Sequence, residues 1–201
     1  ARHRMRILFL TDTHIRGTNP QNRTDVFYDS LQTKIREAFE LAHEHDVDVI
    51  LHGGDVFDRP DISPSLVREF ALLLSEFPIP VYAVAGNHDL YGQNPSTIYR
   101  TMLGLLDGVG LLKVIGQGDR VFLQGKASGK TIQLTGQGYF YGLDHKEGIE
   151  NYLIKKDPRA DYAIHMVHGM LLEKPFFEGA PCTLIDNILE TEADITLAGH
   201  Y

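Results

Sequence analysis

Five short apolar runs in this sequence each stop at a compact polar cluster made of aspartate, histidine, asparagine and glycine. Ile7–Leu10 leads to Thr11-Asp12-Thr13-His14, and Val47–Leu51 to His52-Gly53-Gly54-Asp55, with Asp58 close behind. Val81–Ala85 leads to Gly86-Asn87-His88-Asp89, Ala163–Val167 to His168-Gly169, and Ile195–Ala198 to Gly199-His200-Tyr201. Such a run bounded by turn residues is the pattern of a strand buried on both faces. In an open α/β sheet, ligands bind beyond the carboxyl ends of the strands. A chain with this pattern is therefore constrained to gather its polar clusters along one edge.

Between the first runs the periodicity is helical. Asp29–His45 places Leu31, Ile35, Ala38, Phe39 and Ala42 on one face, and Ser63–Phe77 begins with Ser63 at an N-cap position and Pro64 behind it. A third helix is predicted near Pro95–Leu106, ending at Gly108. This alternation predicts an α/β domain with a mostly parallel sheet. Further on, Leu111–Ile115, Arg120–Leu123, Thr131–Leu134 and Tyr139–Leu143 are separated by glycine-bearing turns, which predicts antiparallel hairpins. Tyr162–Val167 and Asp194–Ala198 read as buried strands around the mixed segment Leu171–Leu189. A sheet of βαβ units plus a second, more antiparallel sheet predicts a sandwich with helices outside. At 201 residues, with no repeat, low-complexity stretch or linker, one domain is expected. The single Cys182 excludes an internal disulfide and suits a reducing compartment. No apolar stretch approaches the ~20 residues of a membrane span, so a cytoplasmic address without a membrane partner is expected.

The residue types at the strand ends suit metal ions. Asp12 and His14, two apart, project to the same side of an extended segment and so can grip one ion. The two oxygens of a carboxylate such as Asp55 can bridge two ions roughly 3.5–4 Å apart. Asn87 offers a neutral oxygen, and His168 and His200 offer imidazole nitrogens. Mixed Asp, His and Asn donors favour manganese, iron or zinc over magnesium or calcium. Each cluster taken singly has an ordinary explanation as a turn or loop; together and in this order they converge on a metal site.

In this order, Asp12-x-His14, Gly54-Asp55-x-x-Asp58-Arg59, Gly86-Asn87-His88-Asp89, His168-Gly169 and Gly199-His200 resemble the motif series of the calcineurin-like metallophosphoesterases. The Gly54–Pro60 stretch Gly-Asp-Val-Phe-Asp-Arg-Pro, the ending Gly-His-Tyr and the loop Arg16–Tyr28 resemble more narrowly the SbcD nucleases, bacterial relatives of the meiotic-recombination-eleven DNA-break-repair nucleases. The resemblance implies a four-layer α/β/β/α sandwich of two mixed β-sheets flanked by helices. It implies that Asp12, His14 and Asp55 hold one divalent metal, and that Asp55, Asn87, His168 and His200 hold the other, most simply manganese. His88 would protonate the leaving oxygen, and the Asp58 carboxylate would orient His88. The family closes its site with Gly-His-x-His, whose second histidine completes the first metal. This sequence stops at Tyr201, so the expectation is a nuclease domain over 1–201 lacking its C-terminal end and the capping domain of a longer protein. An SbcC-type ATPase partner and a homodimer are further implications.

Charge bears on the substrate. Nineteen Lys and Arg against twenty-seven Asp and Glu give −8, an unusual balance for a nucleic-acid binder. Two divalent ions would bring this to about −4. Arg16 and Arg23, with no acid between them, and Tyr28, able to stack on a base, are candidate DNA contacts. Arg59 reads either as a phosphate clamp or as a surface ion pair. The expected activity is a manganese-dependent DNA exonuclease or endonuclease of double-strand break repair or recombination. The alternatives are a phosphodiesterase or phosphatase of small substrates such as cyclic nucleotides, and a non-catalytic scaffold of the same fold. His43 and His45 read as helix-closing residues, His165 as packed, His52 as adjacent to the metal loop and Asp89 as loop-stabilising. Leu66, Val67, Phe70, Leu72, Leu73 and Leu74 leave the second helix apolar nearly all round, as Ile98, Tyr99, Met102, Leu103, Leu105 and Leu106 do the third, a surplus available to meet another chain.

Overall fold

The protein is described here by a computed structural model covering residues 4–17 and 27–200, with side chains of the second stretch from residue 31 onward. Strands β1 (Ile7–Leu10), β2 (Val49–His52), β3 (Val81–Ala83) and β4 (Lys113–Val114) form one all-parallel sheet in that order. Parallel neighbours need long return connections. Helices α1 (Phe27–Glu44), α2 (Pro64–Glu76) and α3 (Met102–Gly108) supply them. Strand β2 is buried on both of its sides. Ile50 packs towards the helices with Ile35, Phe39, Phe70 and Leu73, while Val49 and Leu51 join the core between the sheets. Burying each such side chain stabilises the fold by about 1.5–3 kcal/mol.

Local chemistry adjusts two of the predicted helices. Ser63 holds the position before α2, but its hydroxyl makes no bond to the helix N–H groups and faces the Ser65 hydroxyl at 3.1 Å. The helix predicted over Pro95–Leu106 divides into a 3₁₀ segment, Pro95–Arg100, and α3. The break is Thr101, extended at φ −91° and ψ 165°, whose Oγ1 accepts the Gly104 N–H and starts the new helix.

The second sheet contains β5 (Arg120–Gln124), β6 (Thr131–Gln137), β7 (Tyr162–His168) and β10 (Ile195–Gly199), in the order β10-β7-β6-β5. A small pair, β8 (Leu171–Leu172) and β9 (Thr183–Leu184), lies apart from it. Only β5 and β6 form the expected antiparallel hairpin; β6, β7 and β10 run parallel. Lys113–Val114 belongs to the first sheet, alongside β3. Tyr139–Leu143 is not a strand: the Tyr139 N–H donates to Ala85 O, and the chain turns back with Leu143 N–H on Phe140 O. The sheets meet through Val49, Leu51, Val84 and Ile115 against Ile132, Leu134, Ile164 and Met166. Among the described residues, the outer face of the second sheet is covered by the 3₁₀ segment Lys146–Tyr152 and loops packed on Leu143, Val167 and Ile188, not by an α-helical layer. No described helix is long and apolar enough to cross a membrane.

Candidate metal centre

The polar clusters meet where the strands end. After β1 leaves its pairing with β2, the Asp12, His14 and Ile15 N–H groups donate to the carbonyls of Gly54, Asp55 and Val56, at 3.0, 2.9 and 3.0 Å. The two segments therefore run on side by side without being a sheet. Asp12, His14, Asp55 and His200 all have positive φ, at 51°, 43°, 54° and 89°. Asp12 and His14 thus do not share a face of extended chain, as their spacing predicts; left-handed kinks aim them. A non-glycine residue held there costs of order 1–3 kcal/mol, and such strain persists where the surroundings enforce it. Gly54 and Gly86 make the enclosure feasible: a Cβ on Gly86 would overlap the Asp55 carboxylate and backbone, and one on Gly54 the His168 ring.

Both carboxylates have one oxygen tied and one left for the cluster. Asp12 Oδ2 accepts from Thr11 Oγ1 at 2.5 Å and from the His200 N–H at 3.1 Å, while Oδ1 is buried without a hydrogen-bond partner. Asp55 Oδ1 accepts the His88 N–H at 2.9 Å, and Oδ2 lies 3.6 Å from His14 Nε2 and 3.4 Å from His168 Nε2. His14 Nε2 is 3.9 Å from Asp12 Oδ1. His168 Nδ1–H donates to Gly53 O at 2.7 Å, which turns Nε2 to the cluster, a lone pair when the ring is neutral and a donor to Asp55 when it is protonated. Around that nitrogen stand Asn87 Oδ1 and His200 Nδ1, each at 3.1 Å, besides the Asp55 oxygen. Acceptors converging in this way, with an orphaned carboxylate oxygen nearby, fit divalent cations. Two trios have donor atoms within 4.8 Å of one another, His14-Asp55-His88 and Asp55-His168-His200, and Asp55 is common to both.

Electrostatics follows the same plan. Burial works to raise the Asp55 pKa, but the His168 hydrogen bond and charge and the His88 N–H outweigh it, leaving it lowered. Burial likewise opposes charge on His168, and the Asp55 carboxylate overrides it, so His168 is raised. Burial and neighbouring His168 lower His200. His52, lowered by burial to about 4, is neutral. Its Nδ1 accepts the Gly54 N–H at 3.1 Å and its Nε2–H faces Thr13 Oγ1 at 3.0 Å, and Thr13 Oγ1 in turn donates to Val56 O. Asp89 is fully buried and is raised by that burial to about 7, although the Gly86 and Phe57 N–H groups donate to it.

The remaining predicted site residues fall in different places. His88 is exposed beside His14, with ring centroids 4.8 Å apart, and its Nδ1–H donates at 3.1 Å to the backbone carbonyl of Asp58. The Asp58 carboxylate, expected to hold His88, instead faces His14 Nδ1 at 3.5 Å and Arg16 Nη1 at 3.7 Å. Arg59 is exposed and pairs with Asp61 at 3.9 Å. Arg23 and the Tyr28 side chain lie outside the described residues. Sequence reasoning missed the supporting hydroxyls of Thr11 and Thr13, and Tyr139, whose ring centroid lies 5.7 Å from that of His200. Tyr139 follows Gly138 in what reads as a strand, which hid it.

Comparison with known proteins gives the family. The family model described as calcineurin-like phosphoesterase matches residues 5–201. A relative named DNA double-strand break repair protein Mre11, from Sulfurisphaera tokodaii, is 28% identical over 97% of this chain and 48% of its own length. A component of the nuclease SbcCD from Escherichia coli K12 is 34% identical over 42% of this chain and 21% of its own length. Among solved structures, Haemophilus influenzae NAD nucleotidase superposes with a TM-score of 0.52 at 13% identity, over 98% of this chain and 38% of that one, a likeness of fold. The chain spans a third to a half of the length of the first curated relatives it matches.

Proposed function

Because the chain belongs to the calcineurin-like phosphoesterase family, we propose that it is the catalytic core of a two-metal DNA nuclease acting in double-strand break repair or recombination. The observation that carries this reading is the pair of donor trios joined at Asp55, one of them including the exposed His88. In this proposal Asp12, His14 and Asp55 hold one divalent ion, and Asp55, Asn87, His168 and His200 the other. Manganese suits that donor set, with iron or zinc as substitutes. Bound there, the ions supply Lewis acidity towards a phosphodiester and lower the pKa of water. Gly53, through its carbonyl on His168, and His200, through its N–H on Asp12, keep the donor atoms aimed. His88, braced through Nδ1–H by the Asp58 carbonyl, keeps Nε2 available to hand a proton to the leaving oxygen. Asp58 therefore acts in this reading through its backbone on His88 and through its carboxylate on His14. Arg16 and Arg23 would draw the phosphate backbone, with Tyr28 against a base and Arg59 on an outer phosphate. The partners we propose are DNA, an SbcC-type ATPase and a second copy of the chain, in the cytoplasm.

The test is manganese-dependent hydrolysis of a labelled single-stranded oligonucleotide beside bis-p-nitrophenyl phosphate and a cyclic nucleotide. Oligonucleotide cleavage that falls at least a hundredfold in His88→Ala, with manganese still bound, is the expected result. Cleavage of only the small esters would replace the nuclease with a small-substrate phosphodiesterase. Manganese binding without any hydrolysis would indicate a scaffold.

A further inference from the structure

His200 belongs to the metal cluster and is also one wall of a cleft of about 190 Å³, whose other walls include Tyr139, Phe140, Tyr141, His145 and Met170. The Tyr139 and Tyr141 rings each lie against a histidine that also lines the cleft. Tyr139 lies 5.7 Å from His200, its hydroxyl donates to Gln93 Oε1 at 3.2 Å, and its N–H is tied to Ala85 O, just ahead of Gly86-Asn87. Tyr141 stands 5.4 Å from His145 and is 83% exposed, a large ring left open to solvent next to a candidate reaction centre. Asp144 also lines the cleft, but its oxygens are occupied by the Tyr152 and Thr183 hydroxyls and the Met170 N–H. The cleft thus offers aromatic faces and a thioether, and its carboxylate is already committed. Such walls select a flat group with an apolar face. The volume is below the roughly 300–1,000 Å³ of drug-sized pockets and suits a single heterocycle.

We propose that this cleft is a nucleobase subsite, taking the base of the nucleotide whose phosphate lies at the cluster. The inference rests on the phosphoesterase reading of the centre and adds that its substrate is a nucleotide, recognised by stacking and therefore with little preference among bases. The shared wall at His200 is what joins base to phosphate: a ligand held at Asp55 and His168 has this cleft as its neighbour.

The test is calorimetric titration of the manganese-loaded chain with dAMP and with 2-deoxyribose 5-phosphate, which differ only in the base. The expected result is about tenfold tighter binding of dAMP. Tyr141→Ala removes that advantage and leaves the sugar phosphate unchanged, while Tyr141→Phe keeps it. Because Tyr141 is exposed, the fold does not depend on it. Equal affinity of the two ligands, no binding of either, or equal weakening of both by Tyr141→Ala would overturn the subsite. Oligonucleotide hydrolysis is scored separately. A base-dependent affinity without hydrolysis of DNA overturns the nuclease and leaves the subsite; hydrolysis without base dependence does the reverse.

Discussion

Asp55 carries more of the candidate centre than any other residue, since its Oδ2 stands between two imidazoles and its Oδ1 is held by the His88 N–H. A ligand that binds only the folded chain stabilises it by mass action, about 2.7 kcal/mol at a hundredfold excess over Kd. For a domain of this size that is a rise in Tm of about 5–10 °C. Manganese is therefore expected to raise the Tm of the native chain, and Asp55→Ala to abolish the rise; a persisting rise would put the ions elsewhere. That Asp12, His14, Asp55, Asn87, His168 and His200 come together was legible because each polar cluster directly follows an apolar run, and such runs deliver their ends to one edge. Their conformations were not. Nothing in Asp-x-His announces left-handed kinks at both positions, because the cause is the neighbouring 54–56 segment, distant in sequence. The bracing of His88 was misread for a related reason: a backbone carbonyl leaves no mark in a sequence, whereas the Asp58 side chain does.

Strand β7 shows how one element serves two environments. Alternation turns Ile164, Met166 and His168 towards the other sheet and His165 to the opposite face. There His165 is buried, with Nδ1 against Thr135 Oγ1 at 2.8 Å and Nε2 against Asn151 O at 2.8 Å. Burial lowers its pKa, although both hydrogen bonds work the other way. A lowered folded-state pKa means that the unfolded chain takes up the proton first, so this contribution is intact above the unfolded value of about 6.5 and is lost as pH falls below it. Urea unfolding is expected to show lower stability at pH 5.5 than at pH 7.5, with a smaller difference in His165→Gln. An unchanged difference would assign the pH dependence to other groups. Apolar runs made β1, β2, β3, β7 and β10 readable. The second sheet's parallel pairing was not, because glycine-rich spacers look alike whether the chain reverses tightly, as between β5 and β6, or wanders through a 3₁₀ crossover, as between β6 and β7.

At the scale of the molecule, apolar side chains on and beside two helices remain exposed. Leu72 on α2 and Leu105 on α3 are about half exposed, and Tyr99 and Val109 more so. We expect these side chains to join two copies, giving dimer mass by light scattering at tens of micromolar, and the pair Leu72→Glu and Leu105→Glu to give monomers of unchanged fold. A monomeric native chain would remove the dimer. The sandwich itself was legible from the five runs and the change of texture after residue 110; the covering of its far side was not, since 3₁₀ turns and loops lack a period. The hydrogen bonds from His168 to Gly53 and from His200 to Asp12 each cross from one sheet to the other. Asp12, His14, Asp55 and Asn87 hang from one wall and His168 and His200 from the other, so the centre works as a vernier. A slip of one residue between the walls, about 3.3 Å, would carry His168 out of reach of Asp55 and undo both positions together. The apolar layer of Leu51, Val84, Leu134 and Met166 thereby sets the spacing of a polar cluster at its rim.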